Sequence, residues 1–172
     1  MTPDLIERAK LGDRFARDQL VRELADPWFR FSMSLLRDPE KARDAVQETA
    51  LRFLSQLGRF KGESTLRTWS LGIALNVARE IRRKRTSESL EFAPEPVGAS
   101  DESSVEQNDL NQALRESMSE LSDRQREAVA LRFFEELSVE ETAAAMNCAV
   151  GTVKATVHQA LKLLKKKLTG KV

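Results

Sequence analysis

The chain has 172 residues, 41% hydrophobic and 32% charged, with a formal net charge of +1. One cysteine and one histidine exclude an internal disulfide and a transition-metal cluster. No apolar run approaches the ~20 residues of a membrane helix, and the start lacks a signal-peptide pattern, so a cytoplasmic protein without membrane insertion is expected.

Seven glycines, five prolines and no tyrosine, against abundant Leu, Ala, Arg and Glu, predict an all-α fold. The first helix runs from Pro3 to Leu11 and is closed by Gly12, with Asp13 capping the next. The second spans about Arg14 to Leu36, with an interruption expected near Asp26-Pro27. Asp38-Pro39-Glu40 restarts the chain as N-cap, proline at the first helical position and an acid suited to the helix dipole. This third helix reaches about Leu57, and Val46, Ala50, Phe53, Leu54 and Leu57 form its expected apolar stripe. A loop, Arg59-Phe60-Lys61-Gly62-Glu63, leads to a fourth helix that Ser64 or Thr65 caps and that reaches Arg85. Its apolar stripe is Leu66, Trp69, Ile73 and Val77, and core packing is the expected role of Trp69.

Residues 86–110 change character: Ser, Glu, Pro and Gly dominate and no periodicity survives, as in a flexible acidic linker. Between Arg85 and Arg115 there is no basic residue and there are seven acids, Glu88, Glu91, Glu95, Asp101, Glu102, Glu106 and Asp109. The near-neutral net charge therefore conceals two basic surfaces on either side of an acidic connector, which suits one nucleic acid held at two places.

Helices resume with Gln112 to Glu120, then a helix from Arg124 to about Glu135 capped at Ser122-Asp123. Within it Phe133 and Phe134 are adjacent aromatics, of which one is expected in the core. The final stretch reads as a helix-turn-helix. Ser138 and Glu141 form a capping box, the short helix runs through Thr142 to Met146, and Asn147-Cys148-Ala149 makes the turn. A long helix starts at Val150 with no acidic residue to the end of the sequence and six lysines: 154, 162, 165, 166, 167 and 171. An acid-free lysine helix is suited to neutralising phosphates. The organisation expected is residues 1–85 and 111–172 as two small helical domains joined by the linker 86–110. No Gly-rich phosphate loop, metal set or nucleophile with a credible base is present, so no enzyme, cofactor or small-molecule substrate is expected.

Several strings in register resemble one family. They are Asp44-Ala45-Val46-Gln47-Glu48-Thr49, Arg59-Phe60-Lys61-Gly62-Glu63-Ser64, Thr68-Trp69 and Ile73-Ala74-Leu75-Asn76. In the second half they are Leu121-Ser122-Asp123-Arg124-Gln125-Arg126-Glu127, Leu137-Ser138-Val139-Glu140-Glu141 and Gly151-Thr152-Val153-Lys154. Together they resemble the extracytoplasmic-function (ECF) sigma factors, specificity subunits of bacterial RNA polymerase. The resemblance implies that core RNA polymerase binds at Asp44, Gln47 and Glu48, and that promoter DNA is bound at two elements. The −10 element would meet Phe60, Lys61, Gly62, Glu63, Ser64, Asn76, Arg79 and Arg83, with Arg82, Lys84 and Arg85 among the phosphate contacts. The −35 element would meet Gly151, Thr152, Lys154, Ala155, His158 and Gln159. Val153 and Val157 would be core, and an anti-sigma factor is a further partner the resemblance suggests. The sequence departs from the family's common pattern at Ala149, Thr156, Gln159 and Leu161, which implies a weakened −35 grip. A stand-alone helix-turn-helix regulator is the alternative, although it leaves the first 85 residues without a purpose.

Overall fold

The computed structural model describes residues 2–89 and 118–169, and among these every regular element is helical. The chain divides into two compact units, Met1–Pro94 and Glu95–Val172.

In the first unit α1 is Pro3–Lys10, α2 Arg14–Leu36, α3 Pro39–Gln56 and α4 Leu66–Ser89. The starts follow the sequence signals. Asp13 accepts from the N–H groups of Phe15 and Ala16, and Asp38 from those of Glu40 and Lys41. For α4 the cap is Thr65, whose hydroxyl accepts from the Thr68 N–H at 3.0 Å, and not Ser64. Gly12 closes α1 at a φ of 97°, a value favouring a residue without Cβ. Hydrogen bonding to Arg8, then to the Ala16 N–H, holds the Asp13 carboxyl below the usual carboxylate range.

Three helix expectations are corrected. First, α2 passes through Pro27 without a break. Proline in a helix interior costs about 3 kcal/mol, but Leu20, Leu24, Trp28, Phe31 and Leu35 form one fully buried stripe across it. Burying each such side chain is worth roughly 1.5–3 kcal/mol, so packing outweighs the lost bond. Second, the buried face of α3 is Ala42, Ala45, Thr49 and Phe53, continuing into Leu57 of a 3₁₀ turn, Leu57–Arg59. Val46, Ala50 and Leu54 only flank it. Third, α4 continues four residues past Arg85 to Ser89; the rest of the expected linker, 90–110, lies outside the described residues.

The core of this unit is aromatic. Trp28 meets the Phe53 ring edge-on at 5.4 Å between centroids, Phe53 meets Trp69 at 5.7 Å, and Trp69 meets Phe60 at 5.2 Å. The Trp28 indole N–H donates to the Ser70 hydroxyl at 2.9 Å, so this buried tryptophan leaves no orphan donor. Thr49 is different: its hydroxyl oxygen is fully buried with no hydrogen-bond partner. Thr49→Val keeps the shape and removes a polar group whose desolvation costs about 1–3 kcal/mol. The expected result is stabilisation by about 1 kcal/mol, read as a higher denaturant midpoint at unchanged m-value.

In the second unit α5 is Asp123–Val129, α6 Val139–Met146 and α7 Val150–Thr169. Most of the expected Gln112–Glu120 helix lies outside the described residues. Ser122 and Gln125 form a capping box, as do Ser138 and Glu141. Arg126 collects the carbonyls of Met118, Ser119 and Leu121, tying the preceding helix end to α5. The helix expected to run to Glu135 instead widens into a π turn, Ala130–Phe134. Glu135 N–H reaches Ala130 O and Leu137 N–H reaches Leu131 O, with Arg132 Nη1 donating to Leu137 O. The wider turn leaves Phe133 and Phe134 each 47% exposed, so neither is the core residue expected, and the Arg132 guanidinium lies over the Phe133 ring. Met118, Leu121, Val129, Ala160 and Leu164 form a core cluster, with Leu131, Leu137, Met146 and Val153 also buried.

Candidate functional site

Three surfaces carry the residues singled out in the sequence. On α3, Asp44 and Gln47 are exposed on the face opposite Ala45, Thr49 and Phe53. Glu48 sits on the flank of that face, half-buried, and its Oε1 accepts from Arg52 Nε at 2.6 Å. The structure therefore groups the three, with Asp44 and Gln47 exposed and Glu48 partly open but engaged by Arg52. Leu51 was missed by the sequence reading. It is 66% exposed at three and four residues from Glu48 and Gln47, on the same face. An isolated leucine in a helix pattern carries no signal of exposure; only the rotation of α3 in the bundle places it outside.

The second surface combines a cavity with a helix face. A cavity of about 470 Å³ lies between α1 and the segment Phe60–Leu66. Phe60, Lys61, Gly62 and Ser64 line it, together with Thr65 and Leu66; Glu63 and Asn76 are not among the lining residues. Its other wall, Pro3, Ile6, Glu7 and Lys10 of α1, was not foreseen. Those four follow helical spacing opposite the buried Leu5 and Ala9, a pattern that any surface face shares. Phe60 is 8% exposed and forms the cavity's apolar base, its ring beneath the Lys10 ammonium at 5.6 Å. Gly62 has a φ of 78°, and a Cβ there would meet nothing within 4 Å, so the backbone is open to close approach.

From the cavity a polar face runs along α4. Trp69, half-buried and touching Phe60, begins it; Asn76 is exposed, Arg79 half-buried and Arg83 exposed. At 1.5 Å per residue, Trp69 to Arg83 spans about 20 Å. Glu80 lies within this face, held by Arg52 through Nη1 and Nη2, both at 2.7 Å. Those hydrogen bonds keep the Glu80 carboxyl below the usual carboxylate range against partial burial, with Arg52, Arg83 and Lys84 adding favourable charge.

The third surface is on α7. Gly151, Lys154, Ala155, His158 and Gln159 are exposed and share one face with Lys162, while Thr152 is half-buried at its start. The opposite face is core through Val153, Ala160 and Leu164; Val157 only flanks it. Asn147 turns the chain at a φ of 50°, and Cys148 N–H closes the turn on Ala143 O. The lone Cys148 is half-buried. Ala149 accepts through its carbonyl from the Thr152 and Val153 N–H groups but has no side-chain oxygen to cap the Gly151 or Thr152 N–H. Ala149→Ser is accordingly expected to stabilise the second unit by about 1 kcal/mol. The gain should be visible as slower amide exchange in the first turn of α7.

Two helical units, one containing a helix-turn-helix with an acid-free exposed face and the other carrying a cavity and a basic helix, fit a DNA-binding transcription factor. Comparison with known proteins gives the family. Residues 20–88 match the model of sigma-70 region 2, and residues 111–164 that of sigma-70 region 4. The RNA polymerase sigma-H factor of Pseudomonas aeruginosa is 30% identical, covering 95% of this chain and 92% of its own. The RNA polymerase sigma-E factor of Streptomyces antibioticus is 33% identical, covering 91% and 87%. Among solved structures, the sigma factor RpoE of Bartonella quintana, crystallised with the anti-sigma factor NepR, is 27% identical at a TM-score of 0.73, covering 88% of this chain and 96% of that one. The chain belongs to the sigma-70 family, as an ECF sigma factor, and directs transcription initiation. Among the described residues no helix is long and apolar enough to cross a membrane.

Proposed function

We propose that the protein docks on core RNA polymerase through Asp44, Gln47 and Leu51 of α3, with Glu48 at the edge. It reads the −10 element with the cavity and α4, and the −35 element with α7. The units taken for these roles are residues 1–85 and 111–172, with 86–110 between them. The observation that carries the reading is the cavity at Phe60–Leu66, whose lining residue Phe60 packs on Trp69 at the start of the polar face of α4. Capturing an extruded base needs an apolar floor, close backbone and polar edges, and a volume of about 470 Å³ is ample for a nucleobase. Asn76 suits a base edge and Arg83 a phosphate. Gly151, Lys154, Ala155, His158 and Gln159 lie where a recognition helix meets the major groove, with Thr152 at its entrance. The protein acts by positioning and melting DNA and catalyses no reaction itself. An anti-sigma protein is a fitting further partner, and the exposed Phe133 and Phe134 are an apolar pair on the second unit that it or the polymerase would cover.

Run-off transcription with core polymerase tests this reading. The wild-type protein should direct promoter-specific transcripts. Asn76→Ala should keep core affinity within about twofold and reduce open-complex formation by about 10–100-fold, the 1–3 kcal/mol of a bidentate base contact. Permanganate reactivity of unpaired thymines at the −10 element reads it directly. Wild-type melting by Asn76→Ala would refute the assignment of α4.

A further inference from the structure

The cluster Glu48–Arg52–Glu80 has no role in either surface taken alone, yet it joins them. Arg52 leaves the flank of the α3 docking face and grips Glu80 in the middle of the α4 promoter face. One guanidinium makes three charge-assisted bonds: Nε to Glu48 at 2.6 Å, Nη1 and Nη2 to the two Glu80 oxygens at 2.7 Å. Glu80 follows Asn76 by four residues and precedes Arg83 and Lys84 by three and four, so it shares one stripe of α4 with all three.

We propose that Arg52 is a positioning residue that relays polymerase docking at Glu48 to the DNA-binding cations of α4. The proposal rests on the docking and promoter faces assigned above. Glu48 is bonded to Arg52 through one oxygen, and its side chain remains 44% exposed to an incoming cation. A polymerase arginine that engages Glu48 competes with Arg52 Nε. Arg52 then shifts its charge toward Glu80, and a more fully neutralised Glu80 attracts Arg83 and Lys84 less. Those two cations become more available to phosphates, so docking strengthens DNA binding. By linkage, DNA strengthens docking by the same factor. Lysine cannot replace arginine here, because a single ammonium lacks the planar fork that serves Glu80 while Nε serves Glu48.

The full-length protein and core polymerase are used throughout, with core affinity measured by fluorescence anisotropy alone and with saturating −10 fork-junction DNA. The ratio of the two affinities is the coupling, expected at about 5–100-fold for the wild type. Arg52→Lys should lower that ratio at least threefold while the thermal midpoint moves only slightly. The double variant Arg52→Glu with Glu80→Arg restores an α3–α4 ion pair but sets two carboxylates against each other at positions 48 and 52. It should regain thermal stability and not regain the coupling. Recovery of the coupling together with stability would show that the cluster is only a structural ion pair and overturn the relay. Asp44→Ala with Gln47→Ala separates the relay from its premise. Wild-type core affinity in that variant overturns the docking face and the relay with it. Reduced affinity there, with an unchanged ratio for Arg52→Lys, overturns the relay alone.

Discussion

Alanine at Asp44, Gln47 and Glu48 together is expected to weaken binding to core polymerase by about 10²–10³-fold while leaving the helical bundle folded. Truncating groups that become buried, hydrogen-bonded and charge-paired in an interface costs roughly 2–5 kcal/mol. The three side chains will not share that loss evenly. Asp44 and Gln47 are exposed, so alanine there is expected to remove chiefly intermolecular bonds. Glu48 already serves Arg52, so Glu48→Ala also loosens the grip between α3 and α4. Partly exposed ion pairs of this kind are worth only about 0–1 kcal/mol, and the thermal midpoint should fall by a few degrees at most. Leu51→Asp supplies a complementary check, since a charge in the middle of an apolar contact should abolish binding without touching the core. Equilibrium titration of labelled protein with core enzyme measures both variants, and circular dichroism confirms their helicity. Unchanged affinity in the triple variant would remove α3 as the docking surface.

Trp28→Ala is expected to cost the first unit about 3–5 kcal/mol, the range for truncating a large aromatic in a packed core. Small domains carry about 5–15 kcal/mol in total, so the variant loses a large fraction of its stability and unfolds at a much lower denaturant midpoint. The reason is its position. Trp28 is fully buried on α2, its ring abuts Phe53 of α3, and its indole N–H donates to Ser70 of α4. It therefore fixes α3 and α4 to the same central helix. Trp28→Phe keeps most of the apolar area and loses the hydrogen bond, so a smaller loss of about 1–2 kcal/mol is expected. Urea denaturation gives both numbers. Transcription by Trp28→Ala should recover on cooling towards the temperature of maximum stability, because the lesion is in folding and not in any contact with polymerase or DNA. Loss of transcription without loss of stability would show that Trp28 has a direct role instead.

Much of this architecture is local in origin and was legible from residues alone. Capping at Asp13, Asp38, Ser122 and Ser138, the stop at Gly12 and the left-handed Asn147 each depend on chemistry within four or five positions. The order of helices, the helix-turn-helix and the membership of the sigma-70 family followed from such signals. What failed were questions that a neighbouring helix answers. Proline at 27 breaks a helix locally, yet buried contacts on both sides of it keep α2 continuous. The stripe on α3 was read one notch away from its true face because alanines and a threonine, weak hydrophobic signals, make up most of the buried side. Phe133 and Phe134 were divided between core and surface by assuming α-helical spacing, and the π turn exposes both.

The sequence by itself therefore determined the helical class, the family and the residue types available for docking and promoter contact. Tertiary structure alone decided which of them face solvent. It turned Leu51 outward and tied Glu48 to Arg52. It seated Phe60 as the floor of a cavity whose far wall, α1, lies some fifty residues earlier in the chain. The physical reason is that caps and turns are satisfied within a few residues, whereas burial is a property of the elements packed against a residue. No periodicity records which neighbour will arrive.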